Sequence, residues 1–177
     1  IGYRALKVSG IAPGGRLGLF GFGASASLAI QVARHWECEV YVATRSESEQ
    51  ARAGTLGAVW AGGYQEQIPA ALDAAVTFAP VGDVVVAALR AVDRGGVVAI
   101  NAIHLDRMPQ FDYDLLWGER QLRSVANYTR ADADEFLMLA AEIPITTTVG
   151  IYPLADANAA LARLRAGETT GTAVLIP

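Results

Sequence analysis

The chain has 177 residues, of which 53% are hydrophobic and 18% charged, a balance typical of a globular protein and not of a disordered one. Its net charge of −4 argues against nucleic-acid binding, which needs a basic surface. The only cysteine, Cys38, excludes an internal disulfide, and no apolar run reaches the roughly 18 residues of a membrane span. We expect a cytoplasmic location, with no nucleic acid and no membrane among its partners.

Strand and helix patterns alternate along the first part of the chain. A helix end over residues 1–7 leads to a strand over 16–20 and a helix over 24–36. A strand over 40–43, a helix from Ser46 to about 55, a short strand over 57–60 and a marginal helical turn over 68–72 follow.

The alternation continues to the end of the chain. We predict a strand over 73–77, a helix over 83–92, and strands over 97–100 and 122–126. The N-cap pattern at Thr129 predicts a helix to about 142. A last helix begins near Pro153, with Gly167 as its cap and with Leu154, Ala157, Leu161 and Leu164 on its core face, before a strand over 172–176.

This order predicts the fold class: α/β, doubly wound, with a mainly parallel six-stranded Rossmann sheet and helices on both faces. Residues 1–15 form an entering helix and turn, and residues 16–144 form the dinucleotide-binding domain. Residues 145–177 contribute a C-terminal helix and strand. Because the chain begins at Ile1 rather than Met, we expect a piece of a longer protein.

A glycine-rich turn between the first strand and the next helix predicts a pyrophosphate site. Gly21 permits a sharp turn, and Gly23 lets the backbone approach a phosphate without a Cβ in between. Ala24 and Ser25 begin the helix, whose N-terminal N–H groups attract an anion. The alternative is a tight turn that binds no ligand.

The end of the second strand predicts a preference for NADP. Thr44 occupies the position where an acidic residue would bind the ribose 2′-hydroxyl of NAD, and Arg45 suits a 2′-phosphate. Ser46 adds a hydrogen-bond donor, whereas Glu47 would repel phosphate. In the alternative interpretation, Arg45 is a solvated side chain and Ser46 only caps the next helix, together with Glu49.

Small and apolar residues after the fourth and fifth strands are predicted to line the rest of the cofactor site. These residues are Phe78, Ala79 and Pro80, and then Asn101, Ala102 and Ile103. Ordinary loop packing is the alternative for both stretches.

The turn 21–26, followed by Ile30-Gln31-Val32-Ala33-Arg34, resembles the cofactor fingerprint of zinc-type alcohol dehydrogenases, members of the medium-chain dehydrogenase/reductase superfamily. The resemblance extends over nearly the whole chain, through stretches 3–7, 95–98, 115–120, 123–127, 152–161 and 164–167. It adds Asn127 to the predicted cofactor-binding residues. One departure is Thr172, which stands where the family often has a pyrophosphate-binding Arg.

The resemblance implies a two-domain enzyme that transfers hydride between an alcohol and NADP or NAD. In that family an N-terminal lobe carries the catalytic zinc, which polarises the alcohol oxygen. This sequence has no such lobe, so no catalytic or metal-binding residue is predicted and we expect the chain alone to bind cofactor without turnover. A homodimer, formed through the edge of the sixth strand, is also expected.

Two other functions remain open at this point. The first is a zinc-free quinone or enoyl reductase of the same superfamily, which the zinc ligands of the N-terminal lobe would distinguish. The second is a stand-alone nucleotide-sensing module, for which the cofactor acts as a signal.

Overall fold

The computed structural model describes residues 1–169 and 171–177 of the chain. The chain divides into two compact units, Ile1–Pro144 and Ile145–Pro177. No helix in the described part of the chain is long and apolar enough to cross a membrane.

The first unit is built on a six-stranded sheet whose strands are all parallel. The strands are β1 (Arg16–Phe20), β2 (Glu39–Ala43), β3 (Trp60–Gly62), β4 (Leu72–Thr77), β5 (Val92–Ile100) and β6 (Gln121–Ser124). Their order in the sheet is β3-β2-β1-β4-β5-β6, so the chain changes direction between β1 and β4. This is the predicted doubly wound α/β fold, and the fold class is confirmed.

Helices cover both faces of this sheet. They are α1 (Gly2–Ser9), α2 (Ala24–His35), α3 (Glu47–Thr55), α4 (Gly82–Ala91) and α5 (Arg130–Glu142). Leu17 and Leu19 of β1 pack in a cluster with α1 and α2, whereas Phe20 packs in a second cluster with α4. Because successive strand residues point to opposite faces, burial on both sides explains why β1 is apolar without alternation.

In the first unit, three predicted elements differ most from the observed ones. The third strand lies at Trp60–Gly62 rather than 57–60, because its pairing with β2 begins at Tyr41 and Trp60. Residues 68–72 form no helix, since Pro69 disfavours helical geometry at Ile68 and the segment is too short to nucleate one. Strand β5 begins at Val92, five residues before the predicted start, because Val92 already pairs with Leu72 of β4. An irregularity around Gly95, at φ +76°, then interrupts this pairing until Val97.

The second unit contains a strand that the sequence analysis missed. Strands β7 (Val149–Pro153) and β8 (Thr172–Ile176) form a parallel pair, joined by a 3-10 turn over Leu154–Asp156 and helix α6 (Ala157–Ala166). Pro153 therefore ends a strand, and helix α6 begins later than predicted. Gly167 caps α6 at φ +74°, as predicted.

The predicted core face of this last helix is wrong. Leu154, Leu161 and Leu164 are each more than half exposed, and Ala160 is the buried residue of α6. A helix and a two-stranded sheet bury too little surface to enclose these leucines within the unit.

Helix α5 begins with the predicted cap, and an ionic cluster fixes it to α1. Thr129 and Asp132 form a reciprocal capping box, with the Asp132 Oδ2 atom 2.8 Å from the Thr129 backbone nitrogen. The ammonium of Lys7 lies 3.2 Å from the other carboxylate oxygen of Asp132, a side chain only 2% exposed. Hydrogen bonds from Thr129 and the neighbouring ammonium of Lys7 together hold the pKa of Asp132 well below its ordinary value.

We expect Asp132→Asn to lower the melting temperature at neutral pH by several degrees. The folded-state pKa of Asp132 is depressed, so its stabilisation is complete above the unfolded-state pKa of ~4 and is lost as the pH falls below that value. The difference in melting temperature between wild type and variant should therefore shrink as the pH falls from neutral towards acid. Asp134→Asn, at an exposed position of the same helix, is the control. Equal melting temperatures for the two variants at neutral pH would contradict this account.

Candidate functional site

The predicted site residues lie mainly along one edge of the sheet, where the parallel strands end. The residues that directly follow β1, β2, β4, β5 and β6 are Gly21, Thr44, Phe78, Asn101 and Val125. The backbone nitrogen of Gly21 donates to the Ala43 carbonyl at 2.8 Å, and that of Phe78 to the Phe20 carbonyl at 2.7 Å. The turn after β1 and the loop after β4 therefore lie side by side at the point where the strand order reverses, the usual ligand position in such sheets.

The two glycines of the turn differ in the space beside them. Gly21 adopts φ +93°, and a Cβ built on it would lie 2.9 Å from the Ala79 backbone nitrogen. Gly23 adopts φ −81° and ψ −161°, and a Cβ built there would meet no described heavy atom within 4 Å. The fold therefore requires a glycine at position 21, whereas at position 23 the glycine leaves open space beside the backbone.

Helix α2 presents an uncapped N-terminus to this open space. Gly23 is its N-cap residue, and no side chain among the described residues accepts a hydrogen bond at this end. The first turn carries no acidic residue, and Gly23 and Ala24 are exposed, while Ser25 is half-buried. Free N–H groups at the positive end of a helix dipole favour an anion such as a phosphate.

We expect Gly21→Ala to destabilise the fold by about 1–3 kcal/mol. The alanine must either keep a left-handed backbone conformation or displace the loop at Ala79. Urea unfolding measures the loss, with Gly23→Ala as the matched control because its Cβ meets no neighbour. Equal unfolding free energies for the two variants would show that the turn geometry is not as described.

A positive charge beside the turn was missed by the sequence analysis. A terminal nitrogen of Arg52, on α3, donates to the Phe22 carbonyl at 2.6 Å, and its guanidinium carbon lies 5.2 Å from the centroid of the Phe22 ring. The guanidinium thus adds to the positive potential of the turn. The only sequence signal was an arginine on the predicted helix, which gives no indication of this contact.

At the end of β2, two predicted residues differ in their surroundings. Thr44 is buried, and its hydroxyl donates to the Glu49 carboxylate at 2.6 Å. Arg45 is exposed and forms no hydrogen bond or ion pair within residues 1–169 and 171–177. Ser46 caps α3 by accepting from the Glu49 backbone nitrogen at 3.4 Å, as the capping pattern predicted.

The remaining predicted residues surround the turn unequally. Phe78, Ala79, Asn101 and Ala102 are half-buried at the strand ends, whereas Pro80 and Ile103 are exposed. Asn127 lies three residues beyond β6, an edge strand that β4 and β5 separate from β1. The structure therefore groups the loops after β1, β2, β4 and β5, and places Asn127 farther along the edge.

The described residues include no candidate metal centre. Among those residues, no three His, Cys, Asp or Glu side chains lie close enough together to hold a metal ion.

Thr172, which stands where the resembled family often has an Arg, begins β8. Its backbone nitrogen donates to the Thr148 carbonyl at 2.9 Å, and Thr170 lies outside the described residues.

Comparison with known proteins gives strong similarity over the whole chain. The chain is 48% identical to a probable alcohol dehydrogenase, AdhA, of Mycobacterium tuberculosis, over 99% of this chain and 51% of that protein. It spans about half the length of the curated relatives it matches. The chain matches no protein-family model.

Solved structures share the fold at lower sequence identity. The acetophenone reductase of Geotrichum candidum, in complex with NAD, superposes with a TM-score of 0.88 at 21% identity, over 99% of this chain and 52% of that one. The CAD of Helicobacter pylori, complexed with NADP(H), gives 0.85 at 20% identity, over 98% and 51%. With the alcohol dehydrogenase relatives, this agreement confirms the resemblance seen in the sequence. The chain is thus related to alcohol dehydrogenases along its whole length, and it shares its fold with about half of each of these solved chains.

Proposed function

We propose that this chain binds NADP or NAD and forms the cofactor-binding part of an enzyme that interconverts an alcohol and an aldehyde or ketone. The observation that carries the proposal is the open space at Gly23, next to the uncapped N-terminus of α2. A glycine that the fold does not require, beside free N–H groups, fits the pyrophosphate of a dinucleotide. The CAD with bound NADP(H) and the reductase with bound NAD support the same ligand class.

Each loop at the sheet edge has a separate role in this proposal. The N–H groups of Ala24 and Ser25 bind the pyrophosphate, Gly23 lets the backbone approach it without a Cβ in between, and Gly21 permits the sharp turn. Phe78, Ala79 and Pro80 line the middle of the site, and Asn101, Ala102, Ile103 and Asn127 line the nicotinamide end. The bound nicotinamide supplies the hydride acceptor or donor, and the chain positions it and excludes water from one side.

We propose NADP as the preferred cofactor. Arg45 is exposed and forms no hydrogen bond or ion pair among the described residues, so it is available to a 2′-phosphate, and β2 is followed by Thr44 rather than by an acidic residue. Ser46 is committed to its capping bond and makes a smaller contribution. The bound cofactors of the two solved structures support both nicotinamide dinucleotides as ligands of this fold.

The remaining parts of the activity belong to the same proposal. We place the catalytic zinc in an N-terminal lobe outside this chain, to which residues 145–177 return, and we expect the chain alone to be inactive. The outer edge of β6 pairs with no other strand in the described sheet and is the proposed homodimer contact. The cytoplasmic location stays a prediction.

Calorimetric titration of the chain with NADPH and with NADH tests the proposal. We expect NADPH to bind with a Kd in the micromolar range and NADH to bind more weakly. Binding of neither dinucleotide would contradict the proposed function, and equal binding of both would contradict the NADP preference alone.

A further inference from the structure

Glu49 brings a carboxylate to the end of β2, although it lies five residues beyond Thr44 in the chain. Its Oε2 atom is 2.6 Å from the Thr44 hydroxyl oxygen. Thr44 is held in place because its backbone nitrogen donates to the Gly62 carbonyl at 2.8 Å and its carbonyl accepts from the Gln50 side chain at 2.8 Å. The Glu49 backbone is held by the Ser46 cap. This geometry fixes the carboxylate at the place where the sequence showed only a hydroxyl.

The direction of this hydrogen bond decides what the site offers a ligand. An ionised carboxylate only accepts, so the single hydroxyl hydrogen of Thr44 must point to Glu49. Thr44 itself is buried, so the acceptor that remains for a ligand is the second carboxylate oxygen of the half-buried Glu49. The pair therefore favours a ligand group that donates a hydrogen bond.

The two cofactors differ in this respect at one position. The adenosine ribose of NAD ends in a 2′-hydroxyl, which donates, whereas NADP carries a 2′-phosphate, which accepts. A phosphate monoester bears a charge of about −1.5 to −2 at neutral pH, so a neighbouring carboxylate repels it. In doubly wound folds the adenosine ribose lies at the end of the second strand, beside this pair.

We propose that Glu49 is a specificity-determining residue that favours the 2′-hydroxyl of NAD and weakens binding of the 2′-phosphate of NADP. The inference rests on the proposed function and refines it, since Glu49 acts against Arg45 across the same part of the site. The cofactor preference is then the balance of these two side chains. The preference for NADP is therefore smaller than the absence of an acidic residue at the end of β2 would predict.

The other ionisable groups at this end leave Glu49 and Arg45 as the deciding charges. Burial raises the pKa of Tyr64, which lies beside Thr44, so its phenol stays neutral at physiological pH. Glu47 is exposed on the first turn of α3 and forms no hydrogen bond or ion pair among the residues that the structure describes. Its charge is therefore screened by solvent more strongly than that of the half-buried Glu49.

The test measures the affinities of NADPH and NADH for Glu49→Gln by calorimetry. Glutamine keeps the shape and an oxygen that accepts from Thr44, but it removes the charge and adds an amide donor for phosphate. We expect NADPH to bind about tenfold more tightly and NADH to bind more weakly than to the wild type. Glu47→Gln is the matched control, because it removes the same charge from an exposed position of the same helix and should change the affinity ratio much less.

The possible outcomes separate this inference from the proposed function. If the wild type binds neither dinucleotide, the proposed function fails. If the wild type binds both but Glu49→Gln and Glu47→Gln give the same affinity ratio, Glu49 does not determine specificity and the proposed function stands. Thermal melting checks the fold of each variant. Glu49→Ala, which removes the charge without adding an amide, should shift the ratio in the same direction.

Discussion

Gly23→Asp is expected to abolish dinucleotide binding while leaving the chain at least as stable as the wild type. Aspartate is among the best N-cap residues, and position 23 has an extended backbone and open space for a Cβ. The new carboxylate caps the N–H groups of α2 and complements the helix dipole, which adds about 0.5–1 kcal/mol of stability. The same carboxylate occupies the proposed pyrophosphate site and repels a phosphate, so binding should fall at least 100-fold.

Stability and binding move in opposite directions only if position 23 is a ligand site. Thermal melting and titration with NADPH measure the two quantities on the same sample. Gly54→Asp is the control. Gly54 is also exposed and has open space for a Cβ, but it lies near the C-terminus of α3, away from the start of α2. Wild-type affinity for NADPH in Gly23→Asp would contradict the proposed pyrophosphate site.

Arg45→Glu is expected to reverse the cofactor preference. Replacing the cation removes a charge-assisted hydrogen bond to the 2′-phosphate and adds repulsion, so NADPH should bind about 100-fold more weakly. NADH has no group at this position that depends on a cation, so its affinity should stay the same or rise slightly. The measurement is the ratio of the two dissociation constants at a single, moderate salt concentration.

Arg90→Glu is the charge-matched control for this variant. Arg90 is exposed near the end of α4, which leads into the first residue of β5. It therefore lies near the start of a strand, whereas the candidate site lies where the strands end. The same change of charge should therefore leave the ratio unaltered there. An unchanged ratio of NADPH to NADH affinity in Arg45→Glu would contradict the assignment of Arg45 to the 2′-phosphate.

Elements with strong local signals were predicted well from the sequence. Strand β1 is an apolar run that matches the observed bounds, and the caps at Ser46 and Thr129 place the starts of α3 and α5 correctly. Capping depends on residues three apart, so it can be recognised without tertiary information. Strand β7 was missed because its pairing with β8 is a long-range contact, and its sequence follows a polar threonine run.

The candidate site was predictable to a similar degree. The glycine turn and the end of β2 follow from the strand–turn–helix pattern. The contact between Thr44 and Glu49 does not follow from that pattern. In a capping box the side chain of the third helical residue bonds the N-cap backbone, whereas the Glu49 side chain bonds Thr44, two residues before the N-cap Ser46. That choice depends on the path of the chain between β2 and α3, which only the folded structure shows.

The most direct test of the central claim is a crystal structure of this chain with bound NADPH. We expect the pyrophosphate oxygens to lie within hydrogen-bonding distance of the backbone nitrogens of Ala24 and Ser25, with the adenosine ribose beside Thr44. A dinucleotide bound elsewhere, with the space in front of Gly23 empty or filled by a protein side chain, would contradict it.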